Sequence, residues 1–190
     1  MRILWGLFLR LKGWRVSGSF PKDLQKAVVI VGPHTSSWDF VIGLAIRSTL
    51  HLEHIKYLGK AELFKPPLGF FFRKMGGIPV KRTEQHHLVA QVVEQFNNNE
   101  NFILALSPEG TRKKVTRLKT GFYHIAQKTG VPIIMAGIDF NRKLILFGEP
   151  FFTTGNQAAD FEHIHHFFAP IKGKHPENGM SDLLNQQNTR

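Results

Sequence analysis

The chain has 190 residues, 25 Lys+Arg against 14 Asp+Glu for a formal net charge of +11, and no cysteine. That length suits one domain with one substantial core, and the missing cysteine excludes disulfides, thiolate metal sites and a cysteine nucleophile. The charge calls for an acidic partner such as nucleic acid, an anionic membrane, an acidic protein or a phosphorylated substrate, and 17 Phe against 2 Tyr suit lipid or a buried tunnel as well as base stacking.

Ile3, Leu4, Leu7, Leu11 and Trp14 recur at helical spacing, with Arg2, Arg10, Lys12 and Arg15 off that stripe and no acid before Asp23. Such a basic amphipathic helix either lies in a membrane interface or packs on a core. Arg10 and Lys12 directly follow the apolar run and no small-residue cleavage site is evident, so the segment reads as part of the mature protein. No apolar stretch approaches the roughly 18–20 residues a membrane-spanning helix needs.

Beyond it, short apolar runs alternate with helical patterns. Strands are expected at Ala27–Val31, Ile55–Leu58, Gly77–Val80, Phe102–Leu106, Val131–Ile138 and Leu144–Phe147. Helices are expected from about Phe40 to Leu50 and over His87–Phe96, Thr120–Thr129 and Ala158–Phe168, with Gly130 capping the third. The Phe- and Pro-rich stretch Leu63–Phe72 is too short to span a bilayer; it could line an acyl tunnel, dip into an interface or pack in the core. The tail from Gly173 is polar and expected to be loose. The alternation predicts an α/β domain around a central, mostly parallel sheet flanked by helices, divided into an amphipathic helix (1–18), a main domain (19–172) and a tail (173–190).

Polar clusters directly follow three strands: Pro33-His-Thr-Ser-Ser-Trp-Asp39, Lys81-Arg82, and Ser107-Pro-Glu-Gly-Thr-Arg-Lys-Lys114. Ligands of open α/β sheets bind beyond the carboxyl ends of the strands, so parallel neighbours would bring the clusters to one mouth. At a strand-to-helix turn Asp39 can fold back on His34 and make it a general base; alternatively, Asp39 merely caps the following helix. With no Gly-x-Ser-x-Gly elbow and no cysteine, the economical chemistry is direct attack by a substrate hydroxyl that His34 deprotonates. Arg82 and Arg112, with Lys81, Lys113 and Lys114 nearby, could hold a phosphate. Glu109-Gly110 suits hydrogen-bonding a polyol or fixing an arginine.

These blocks carry a resemblance. His34-Thr-Ser-Ser-Trp-Asp39 is an H-x4-D box. Gly76-Gly-Ile-Pro-Val-Lys-Arg82, Pro108-Glu-Gly-Thr-Arg112 and Val131-Pro-Ile-Ile134 follow it in order. Together they resemble the 1-acylglycerol-3-phosphate acyltransferase family of glycerolipid acyltransferases, over roughly Val28 to Ala136. The resemblance implies transfer of a fatty acyl chain from acyl-carrier protein or coenzyme A to a lysophospholipid hydroxyl. In it His34 is the base and Asp39 its orienting partner, and Arg82, Glu109, Gly110, Thr111 and Arg112 lie at acceptor-binding positions. It implies no metal or prosthetic cofactor, a membrane-binding N-terminal element, and peripheral attachment at the cytoplasmic face of the cell membrane. Pro33, Thr35, Ser107 and Met135 depart from the family's usual residues. The same chemistry on another lyso-acceptor, such as a lyso-aminolipid, is the alternative. A basic nucleic-acid-binding domain is the alternative from another class, ranked below these because no helix-turn-helix, zinc-finger or RNP-type signature occurs, so a nucleic-acid partner is not expected. His163 and His166 share a helical face but lack a well-placed third ligand for a metal.

Overall fold

The computed structural model describes residues 2–80, 85–181 and 183. Among these residues seven strands form one sheet: β1 (Arg15–Ser17), β2 (Lys26–Gly32), β3 (Lys56–Lys60), β4 (Gly77–Val80), β5 (Phe102–Leu106), β6 (Ile133–Asp139) and β7 (Leu144–Phe147), ordered β1-β7-β6-β2-β5-β3-β4. The five strands from β2 to β6 run parallel; β7 is antiparallel to β6, and β1 is parallel to β7. The mostly parallel sheet expected from the alternation is therefore present. β2 pairs with β5 on one side, Val28 opposite Leu104, and with β6 on the other, Val28 opposite Ile133.

Among the described residues, six α-helices cover the two faces: α1 (Arg2–Leu11), α2 (Trp38–Thr49), α3 (Gly69–Lys74), α4 (Gln85–Asn98), α5 (Gly121–Thr129) and α6 (Gln157–Phe168). The period-two alternation of the strands sorts the core. Val28 and Ile30 of β2 and Ile133 and Met135 of β6 join Val92, Phe96, Phe122, Ile125, Ile164 and Phe168 from α4, α5 and α6. Ala27, Val29 and Ile134 point to the opposite face, with Phe20, Leu52 and Ile55. On that face Leu9 of α1 meets Ile42, Ala45 and Ile46 of α2 over Ile138 and Ile145, while Phe40 of α2 meets Phe72 of α3, ring centroids 6.2 Å apart. α2 thus lies in the middle of its layer, with α1 on one flank and α3 on the other. Gly130 ends α5 in the left-handed region, φ 64°, as its cap position predicts.

One open reading is narrowed and one expectation is corrected. In α1 the stripe Ile3, Leu4, Leu7 and Leu11 faces outward, and Trp5, Phe8 and Leu9 make the contact with the core. Trp14 lies past the helix end and turns inward, edge-on to Phe140 at 5.1 Å. α1 is apolar on two faces, and periodicity does not say which one docks. The tail is packed, not loose, through Ser181 and again at Leu183. Ile171, Met180 and Leu183 are buried with the α6 layer, and the His175 N–H donates to Thr35 Oγ1 at 3.1 Å. A Cβ on Gly173 would collide with the short Thr35 side chain, so that close approach depends on glycine.

Candidate active site

β2 ends at Gly32, and the chain turns through residues 33–37 into α2. His34 stands in this turn with its side chain 32% exposed, and its Nδ1 lies 3.1 Å from Oδ2 of buried Asp39. The Thr35 and Ser36 N–H groups donate to the same oxygen, each at 2.8 Å. Asp39 sits in the first turn of α2, where unpaired helix amides favour a carboxylate. Of its two expected roles the structure shows the pairing with His34 and not the cap: the N-cap of α2 is Ser37, without a side-chain cap hydrogen bond, and Asp39, by gathering the amides of the preceding turn, is aimed at the imidazole. With Nδ1–H donating to Asp39, the lone pair of the ring resides on Nε2.

The second loop leaves β5, the neighbour of β2. Glu109 on this loop is 1% exposed. The His34 N–H donates to its Oε2 at 2.6 Å, and the Ser107 hydroxyl donates to the same oxygen at 3.3 Å. Burial pushes the Glu109 carboxyl up to about 7, against the opposing pull of the His34 N–H, the His34 ring and Ser107. Glu109 Oε1 and Asp39 Oδ1 are buried without a hydrogen-bond partner among the described residues. Glu109 therefore clasps the loop after β5 to the turn that carries His34. Gly110 permits the tight turn that follows, at φ 66°. Thr111 Oγ1 accepts the Lys113 N–H at 3.3 Å, and Arg112 is exposed.

Of the three clusters expected to converge, the two within the described residues do so. His34, Asp39 and Glu109 come together at the carboxyl ends of the adjacent strands β2 and β5. β4 lies at the sheet edge, separated from β5 by β3, and Lys81 and Arg82 lie outside the described residues. A cleft of about 350 Å³ lined by Leu9, Trp14, Val16 and Ile46 belongs to the seam where α1 docks, away from the dyad. The α6 histidines diverge. His163 meets the Phe151 ring at 4.9 Å, His166 approaches exposed Glu162 at 3.7 Å, and His165 is buried.

Sequence reasoning missed the residues that support the turn from behind. Thr35 accepts from His175 across 140 positions of chain, and the Lys174 ammonium sits 4.8 Å from the Trp38 ring centroid. No local pattern signals contacts of that span. The sole hint is Thr35 itself, which departs from the residue usual at its place in the H-x4-D box.

Comparison with known proteins identifies the family. Over 138 residues, 68% of its length, the chain is 29% identical to the 1-acyl-sn-glycerol-3-phosphate acyltransferase of Haemophilus influenzae, of which the match covers 55%. Over 108 residues, 54% of its length, it is 32% identical to the 1-acyl-sn-glycerol-3-phosphate acyltransferase epsilon of Mus musculus, of which 29% is covered. The chain thus spans just over half the length of the first of these relatives and less of the second. The crystal structure of the 1-acyl-sn-glycerophosphate (LPA) acyltransferase from Thermotoga maritima has the same fold, with a TM-score of 0.59 at 19% identity over all of this chain and 78% of that one. The family model described as Acyltransferase matches residues 14–139, a span that takes in both loops and every strand before β7; the chain belongs to the acyltransferase family.

Proposed function

We propose that the chain transfers a fatty acyl group from a thioester of acyl-carrier protein or coenzyme A to the free hydroxyl of 1-acylglycerol-3-phosphate, at the cytoplasmic face of a membrane. The observation that carries this reading is the buried Asp39 carboxylate 3.1 Å from Nδ1 of partly exposed His34, in a chain similar to proteins named for that reaction. His34 Nε2 takes the proton of the acceptor hydroxyl as its oxygen attacks the thioester carbonyl. The carbon–sulfur bond breaks, and the proton passes to the leaving sulfur, giving an ester and a thiol. Asp39 orients the ring and stabilises its transient positive charge. Glu109 acts through the turn: its bond to the His34 N–H holds the base in place. Arg82 and Arg112 bind the acceptor phosphate, with Gly110 and Thr111 shaping the loop beside it. The outward apolar stripe of α1, bordered by Arg2, Arg10, Lys12 and Arg15, suits peripheral attachment to lipid. Among the described residues no helix is long and apolar enough to cross a membrane.

The test is phosphatidate formation by the purified chain from each thioester donor and 1-acylglycerol-3-phosphate. His34→Ala should lower kcat by roughly 100-fold or more, as expected for loss of a general base, and Asp39→Asn should lower it with little change in KM. Wild-type turnover in His34→Ala overturns the mechanism. A panel of lyso-acceptors with and without the phosphate identifies the acceptor: Arg112→Ala should raise KM for those that carry it.

A further inference from the structure

A second exposed apolar edge lies on the far flank of α2. Between β3 and β4 the chain forms a short 3-10 turn, Ala61–Phe64, and then α3. Leu63, Leu68, Phe70 and Phe71 are exposed there, Phe70 at 77% and Phe71 at 51%. They are held outward because their neighbours are held inward. Phe64 is buried over β3 and β4, where a Cβ at Gly59 or Gly77 would come within 2.9 or 2.8 Å of its ring. Arg73 donates to the Phe64 carbonyl at 2.9 Å and lies 5.5 Å from the centroid of its ring. Phe72 packs between Phe64 and Phe40 at 6.0 and 6.2 Å. With Phe64 and Phe72 fixed, the sequence Leu68-Gly-Phe-Phe-Phe72 must present Phe70 and Phe71 to the outside.

The surroundings of this edge select its partner. Exposed Lys60, Lys65, Arg73 and Lys74 border it, against the single acid Glu62. Rings within a fringe of cations match an anionic lipid surface, whose headgroups attract the charges while the boundary region takes the apolar side chains. α1 presents the same combination, and both helices flank α2 on one face of the sheet. An acidic soluble protein would answer the lysines but would leave the rings unexplained.

We propose that the Leu63–Lys74 corner is a second lipid-contacting foot, distinct from α1, so that the chain rests on an anionic bilayer at two points on either side of α2. Because α2 begins at the turn that carries His34 and Asp39, two contacts fix the orientation of the dyad towards the lipid, whereas one contact would leave the body free to pivot. The proposal deepens the lipid-acceptor reading but is measured without acyl transfer, so the two can fail separately.

Binding of the full chain to sucrose-loaded vesicles, of phosphatidylcholine alone or mixed with phosphatidylglycerol, is read by co-sedimentation. Phe70→Ser/Phe71→Ser should weaken partition to mixed vesicles by roughly tenfold or more, from the burial free energy of phenylalanine, with an unchanged far-ultraviolet circular dichroism spectrum. Lys65→Glu/Lys74→Glu, which leaves the rings in place, should weaken binding to mixed vesicles while binding to neutral ones stays the same. Combining the ring variant with Leu4→Ser/Leu7→Ser should weaken partition further than either alone. Wild-type partition of both corner variants overturns the proposal. So does a wild-type dimer in solution that the ring variant dissociates, or loss of carrier-protein binding in that variant with vesicle binding intact. Failure of acyl transfer in the wild type with vesicle binding retained overturns the proposed reaction and not the foot.

Discussion

Replacing Glu109 by Gln tests how the buried clasp is built. An ordinary glutamate titrates near 4.5, and burial raises Glu109 to about 7; that distance corresponds to about 3 kcal/mol. The sign follows from proton counts. Between pH 4.5 and 7 the folded chain keeps a proton that the unfolded chain has released. Raising the pH through this window therefore favours unfolding, and the contribution, full below 4.5, is lost by the time the pH has passed 7. Gln has nearly the same shape and retains an oxygen for the His34 N–H, but it cannot ionise. Urea unfolding followed by tryptophan fluorescence at intervals from pH 5 to pH 8 should show Glu109→Gln gaining on the wild type by about 2–3 kcal/mol across the range. Subtracting the two curves removes groups they share, including His165. Parallel curves would refute the reasoning. Glu109→Gln should also retain acyl transfer within a few-fold because the bond to the turn survives. Glu109→Ala leaves the His34 N–H unpaired and should depress kcat without restoring the pH profile.

Gly173→Ala sets a Cβ 2.6 Å from Thr35 Oγ1; it should cost about 1–3 kcal/mol in urea unfolding and lower kcat through the displaced turn. Tyr123→Phe removes a hydroxyl that donates to Asp160 Oδ2 at 2.9 Å inside the core, and calorimetry should show a stability loss of about 1–3 kcal/mol. His165 is buried, its ring nitrogens have no partner among the described residues, and burial lowers its pKa from 6.5. As the pH falls below 6.5, the unfolded chain takes a proton that the folded chain resists, so stability falls. His165→Leu should flatten that acid limb in thermal melts at pH 5 and 6.

The parallel sheet was legible because β2, β5 and β6 are continuous apolar runs of the kind that strands covered on both faces require. The H-x4-D turn was legible because its residues are consecutive. β1 was not, since its three residues are exposed and owe their strand conformation to pairing with β7. α3 was missed because three successive phenylalanines carry no period, and what separates Phe72 from Phe70 is the position of Phe40. For Glu109, spacing pointed to a carboxylate among cations, but its burial and its bond to His34 arise only when β5 settles beside β2. The tail reads as polar because buried Gly173 and Met180 have the exposed residues 174–177 between them.

The bond from the His175 N–H to Thr35 also sets a timetable. Chains are made from the amino terminus, and elements fold as their partners emerge. The turn that bears the dyad is synthesised early, yet the backbone that braces it from behind lies 140 residues later. A nascent chain stopped before Gly173 already carries His34, Asp39 and Glu109 but leaves Thr35 without its donor. Arrested chains of increasing length should therefore acquire the capacity to turn over a thioester late, near the emergence of residues 173–183, long after the sheet is complete.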